Sequence, residues 1–138
     1  MIKTLSNLSL MWVGIGGGIG AALRYKVGNL ISHKYQGEFP LSTFIVNISG
    51  AFIIAFISIL FGVDSDIRLG TIGHELFLTG ILGGYTTFSS MQLDALKLFE
   101  KGKKVTSVFY LFITFFAGVV GATSGIWLAN KIICMAYF

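Results

Sequence analysis

The stretch 83-GGYTTFSSM-91 interrupts an apolar segment with two adjacent glycines and then sets Thr86, Thr87, Ser89 and Ser90 among Tyr85, Phe88 and Met91. A water-soluble core gains little from such a cluster. A pore can use every part of it. Gly80, Gly83 and Gly84 weaken the helix, a non-helical turn frees backbone carbonyls, and hydroxyls stand nearby. Inside a bilayer, non-helical backbone is tolerated only where it is buried or lines a cavity. Freed carbonyls of broken helices commonly coordinate cations, so a buried cation site is expected here. Phe88 and Met91 lie three apart, on one helical face. An aromatic ring has a positive edge, so a Phe edge with hydroxyl and amide donors can replace water around a small anion. Conduction requires that such binding be weak and spread over several sites.

The rest of the sequence supplies the membrane. Of 138 residues, 54% are apolar and only 12% charged, and the mean hydropathy is strongly positive, far from the balance of a soluble domain. A helix needs roughly 20 apolar residues to cross about 30 Å of hydrocarbon. The expected fold is therefore an all-α membrane protein, a single membrane domain over 1–138 with four transmembrane helices at about 8–31, 41–61, 74–98 (broken near 83–87) and 105–133. Short connections make neighbouring helices antiparallel. A secretory signal is a poor reading of the first segment, because Arg24 and Lys26 follow it and no small-x-small cleavage site lies at a suitable distance.

Small residues at four-residue spacing let helices approach closely in lipid. The first span offers Gly14 with Gly18, Gly16 with Gly20 and Gly17 with Ala21; the last offers Ala117, Gly121, Gly125 and Ala129. Gly16, Gly18 and Ala21 also match a loose dinucleotide-binding spacing, but that motif requires a βαβ context absent here. On the second span Thr43, Asn47, Gly50, Ile54 and Ser58 share a face, and on the fourth Tyr110, Thr114, Gly118 and Ala122 form a second track. Asn47 inside a span must find a partner or water. It marks either an interhelical contact or a wet path.

Charge excludes other classes. The side holding both termini carries Lys3, Arg68 and Lys131, whereas the opposite side carries Arg24, Lys26, Lys34, Lys97, Lys101, Lys103 and Lys104. The positive-inside bias then places both termini outside. The net charge of +4 is spent at helix ends, which argues against nucleic acid. No carboxylate lies in the middle of a span: Glu75 and Asp94 flank the third, and Glu38, Asp64, Asp66 and Glu100 are at ends or in loops. A proton-coupled exporter of drug-like cations lacks its intramembrane carboxylate. No Ser/His/Asp or Cys/His set supports an enzyme, His33 and His74 sit near span ends, and the single Cys134 precludes an internal disulfide. A scaffold subunit that transports nothing is a third reading, in which the glycines and Asn47 only hold helices together.

The segments 17-GGIGAALRY-25, 42-STFIVNISGAF-52 and 80-GILGGYTTFSSM-91 resemble the three signatures of the Fluc (CrcB) fluoride channels, and the likeness runs over essentially the whole chain. The resemblance implies small proteins of the cell inner membrane that assemble as antiparallel, dual-topology dimers and pass cytoplasmic fluoride out passively. It implies a structural Na⁺ at the dimer centre, two fluoride pores and no enzyme activity. Residue by residue, Gly83 and Thr86 match the backbone-carbonyl ligands of the Na⁺. Phe88 matches the first pore phenylalanine and Asn47 the pore asparagine, with Thr43 one turn before it. Ser89 and Ser90 match the hydroxyls between the aromatics, Tyr110 and Thr114 the polar track, Arg24 the first-span arginine and Asp94 the vestibule acid.

Two positions depart from the pattern: Met91 stands where a second phenylalanine is usual, and Gly118 where the track often continues with a hydroxyl. Methionine fills space but offers no quadrupole edge. The biased charge count fits a heterodimer of oppositely inserted paralogues with one degenerate pore, while a homodimer inserted both ways remains the default.

Overall fold

The computed structural model describes residues 2–61 and 73–136. The connection 62–72, with Asp64, Asp66 and Arg68, lies outside the described residues, as do the side chains of 2–8, 61, 74 and 136, among them those of Lys3 and His74. What is described is helical, with no strand among the described residues. The elements are α1 (Ile2–Lys34), α2 (Leu41–Phe61), a π-wound α3 (His74–Leu82), a single turn α4 (Gly83–Tyr85), α5 (Phe88–Glu100) and α6 (Lys104–Ala136).

Helix α1 runs beyond the expected 8–31, because no proline or strained residue stops it before the loop that ends at Pro40. Pro40 then precedes α2 and accepts the Phe44 N–H through its carbonyl at 3.1 Å, a place where a missing N–H does no harm. Helix α5 ends in a Schellman turn. Lys103 N–H bonds Leu98 O at 3.0 Å, Gly102 N–H bonds Phe99 O at 2.9 Å, and Gly102 takes φ 78°, the left-handed conformation such a cap requires. The chain therefore reverses within three residues, and α6 packs back on α5.

Glycines set the spacing between α1 and the α3–α4 run. A Cβ on Gly16 would fall 2.9 Å from Gly80 Cα, and one on Gly84 would fall 2.9 Å from Gly17 Cα, so the backbones touch. Gly16 and Gly20 are buried on this seam and Gly17 meets Gly84 at its edge, whereas a Cβ on Gly14 or Gly18 would meet nothing within 4 Å; the Gly14–Gly18 pair is not a packing face within the chain. Gly121 and Gly125 of α6 press similarly on Ile48 and Phe52 of α2. The π winding of α3 was not expected from the sequence. Its wider turn lays the backbone of Leu76–Ile81 directly against Gly16 and Gly20.

The core is small: Met91, Ala95, Leu98 and Tyr110, with Phe39, Phe44 and Leu111 packed on it. The Ser107 hydroxyl donates to Ala95 O at 2.6 Å and ties α6 to α5. The outside is apolar. Two helices among the described residues are long and apolar enough to cross a membrane, Leu41–Leu60 and Lys104–Met135, and few of their residues are buried within the chain. Phe112, Phe115 and Phe116 all stand exposed. A core helix of a soluble protein would hide such a surface; this one needs lipid or another subunit against it. The chain is a membrane protein.

Candidate functional site

The site forms where α2 crosses the interruption between α4 and α5. Thr86 (φ −79°, ψ 154°) and Thr87 (φ −153°, ψ 117°) are extended, and the helical path stops for these two residues only. The interruption lies on the threonines rather than on the glycines: Gly83 keeps helical angles, and Gly84 serves as the close contact with Gly17.

What holds the break open is a side chain of α2. Thr87 N–H donates to Asn47 Oδ1 at 2.9 Å, and Asn47 Nδ2 donates to Thr87 O at 3.1 Å. One amide side chain thus holds both polar groups of one extended residue, giving the N–H the acceptor that the helix no longer supplies. Two further contacts fix the crossing. Gly50 makes room for the Thr86 methyl group, and the Ser49 and Tyr85 hydroxyls are 3.0 Å apart.

Beyond the break, α5 starts with Thr87 as its N-cap, the hydroxyl oxygen accepting the Ser90 N–H at 3.2 Å. The same hydroxyl contacts Ser89 Oγ and Ser90 Oγ, each at 3.2 Å. In a continuous α-helix, Thr87 N–H would bond Gly83 O and Ser90 N–H would bond Thr86 O. Both N–H groups are taken by side-chain oxygens instead. The carbonyls of Gly83 and Thr86 are therefore left without their helical partners, and Gly83 is exposed.

The structure brings together some of the residues expected at the site and separates others. Thr43 donates to Asp94 Oδ2 at 2.6 Å, and Lys97 Nζ stands 3.9 Å from Asp94 Oδ1. Arg24, Ser42, Thr43, Thr87 and Ser90 line a cavity of about 180 Å³ with Gly28 and Val46, which puts a guanidinium and several hydroxyls around one space. Phe88 is 68% exposed, whereas Met91 is buried in the core. The two side chains thus meet different surroundings within one chain. Tyr110 is fully buried and its hydroxyl has no hydrogen-bond partner, its ring meeting Phe39 edge-on at 5.3 Å. Thr114 turns its hydroxyl back onto Tyr110 O at 2.6 Å.

Sequence reading missed Thr87 as the hub, Ser107 as the α5–α6 tie and the bond between Ser49 and Tyr85. It also missed the ion pair of Glu38 with Lys103, which fastens the α1–α2 loop to the α5–α6 turn and holds the Glu38 carboxyl below its ordinary range. A signal for Thr87 existed, since a threonine directly before a helical run is a cap candidate.

The comparisons with known proteins fall on the same segments. The model of the family described as CrcB-like protein, Camphor Resistance (CrcB), matches residues 11–126. The chain belongs to the CrcB family. Among curated members, the "Fluoride-specific ion channel FluC 1" of Brucella melitensis biotype 1 is 52% identical over 120 residues, covering 87% of this chain and 98% of that protein. The "Fluoride-specific ion channel FluC 2" of Yersinia pseudotuberculosis serotype I is 51% identical over 125 residues, 91% of this chain and 99% of its own length. A third, "Fluoride-specific ion channel FluC" of Helicobacter pylori, is 40% identical over 134 residues, 92% of this chain and 97% of its own. The matched region contains the α2 crossing, the break and the start of α5, so the site sits within what defines this CrcB-family chain.

Proposed function

We propose that this chain is the subunit of a fluoride-selective channel, a multi-pass protein of the cytoplasmic membrane through which fluoride leaves the cell down its gradient. The observation that carries the reading is the broken helix pinned by Asn47, in a chain whose close relatives are named as fluoride-specific channels. Four passages follow, α1, α2, the α3–α5 run and α6. Fluoride that enters as the neutral acid is trapped inside as the anion near neutral pH, so a selective leak exports it without ATP.

Within the pore, the chain's own groups replace water around the ion. The second Nδ2 hydrogen of Asn47, beyond the one given to Thr87 O, is a free donor. The exposed Phe88 ring offers its positive edge, Ser89 and Ser90 offer hydroxyls beside it, and Arg24 at the cavity favours anions over cations. Thr43 and Asp94 form the flanking polar wall, while Tyr110, Thr114 and Met91, buried within the chain, back that wall. The exposed Phe88 and Gly83 argue for a second copy completing the site, in an antiparallel arrangement. Sodium is the cation proposed for the break. Gly83 and Thr86 would hold it through carbonyl oxygens, the ligand type that hard cations take, and when bound it supplies fixed positive charge between subunits.

A second reading rests on the charge count, three against seven across the membrane: the partner is a paralogue inserted the other way. Growth of a fluoride-sensitive bacterium lacking its own exporter tests the proposal. The chain should restore growth in fluoride, and Phe88→Ala should lose that protection at equal membrane expression. A chain that reaches the membrane and protects nothing, alone or with a paralogue, contradicts it.

A further inference from the structure

Resting on the channel reading, we propose that Thr87 is the positioning residue of the break: its hydroxyl, together with the Asn47 amide, diverts the two N–H groups that would otherwise close over the carbonyls of Gly83 and Thr86. Which donors remain near the break decides which carbonyls stay free. A break of two residues does not by itself leave carbonyls available, because nearby N–H groups can recapture them with slightly bent bonds. Here the Gly83 carbonyl loses Thr87 N–H to Asn47 Oδ1 at 2.9 Å. The Thr86 carbonyl loses Ser90 N–H to Thr87 Oγ1 at 3.2 Å. The two capturing oxygens sit on different elements, α2 and the break itself. Both carbonyls are thereby kept free of competing donors before any ion arrives.

Thr87 does a second task with the same oxygen. It touches Ser89 Oγ and Ser90 Oγ, so the hydroxyl that frees a carbonyl on one side also sets the orientation of the hydroxyls on the pore side. The cation-binding and anion-binding faces of the break are coupled through one atom, Thr87 Oγ1. A cap of this kind requires an oxygen at the position, and serine supplies it while valine, equal in shape to threonine, does not.

The test uses the full chain purified in detergent and in liposomes. Melting is measured in sodium chloride and in choline chloride at equal ionic strength, for the wild type, Thr87→Val, Thr87→Ala and Thr87→Ser. A ligand that binds only the folded state raises the melting temperature. The expected result is a sodium-specific rise in the wild type and Thr87→Ser that is absent in Thr87→Val and Thr87→Ala, with fluoride efflux at least tenfold slower in the last two. Thr87→Ala is read beside Thr87→Val because it leaves the N–H uncaptured without placing a second branched methyl in the break. A sodium-specific rise that persists in Thr87→Val or Thr87→Ala overturns the proposal, as does its absence in the wild type or its loss in Thr87→Ser. A wild type that shows the sodium rise but passes no fluoride overturns the channel reading alone, and loss of that rise in Thr87→Val then still supports the assignment of Thr87.

Discussion

Past Ser107, the hydroxyls of α6 turn inward on their own helix, whereas the polar side chains of α2 mostly reach other elements. In α6, Thr114 bonds Tyr110 O, Thr123 bonds Val119 O and Ser124 bonds Val120 O. Each returns to its own helix one turn back. In α2, Asn47 reaches across to the break, Thr43 reaches Asp94 on α5, and Ser49 divides its hydroxyl between Val46 O of its own helix and the Tyr85 hydroxyl on α4. A back-bonded hydroxyl is satisfied wherever the helix goes and therefore says little about its surroundings. A side chain that satisfies the backbone of another element fixes that element's shape. Polar residues in an apolar span thus become informative when their partner lies off the helix.

The contrast ranks the expected effects of substitution. The largest belongs to Asn47→Ala, which strands the Thr87 N–H and removes the second bond to Thr87 O, and should cost roughly 2 kcal/mol, with fluoride efflux lowered by at least an order of magnitude; unfolding in detergent and liposome efflux read the two. Ser107→Ala comes next. It removes an off-helix bond between α6 and α5 that touches no pore group, and is expected to cost about 1 kcal/mol while leaving fluoride-to-chloride selectivity unchanged. Thr123→Val removes only a back-bond, and its melting should stay within about 0.5 kcal/mol of the wild type; a larger loss would break the comparison.

The smallest effect concerns Glu38 and Lys103. Because Lys103 lowers the Glu38 carboxyl, the folded state favours the charged form. The contribution is present above the ordinary carboxylate value of 4.5 and is lost as pH falls through the lowered folded value. Melting of Glu38→Gln and wild type should differ slightly near neutral pH and converge in acid. Added salt should shrink the difference, since the pair is exposed.

Much of this was legible in the sequence, for physical reasons that also explain the rest. The long apolar runs of α2 and α6 need no tertiary context, and the mixture of glycine and hydroxyl residues at 80–91 announces an interruption. Its position on Thr86 and Thr87 could not be read, because the side chain that pins it comes from Asn47, 40 residues away. Glycine suggested weakness in the helix where it supplies closeness: Gly84 meets Gly17, and Gly80 meets Gly16. Phe88 and Met91 were placed on one face, but positions three apart on an α-helix still differ by about 60°. The boundary between exterior and core passes between them. No sequence pattern marked the π winding of α3, which accompanies the close seam against α1.

The most direct measurement is ion efflux from liposomes containing only this purified chain, with fluoride and chloride followed in parallel. A fluoride-selective channel gives rapid fluoride efflux with little chloride. Equal passage of the two ions would contradict it, as would no fluoride passage from a folded, dimer-sized protein that stays silent when a paralogue is added.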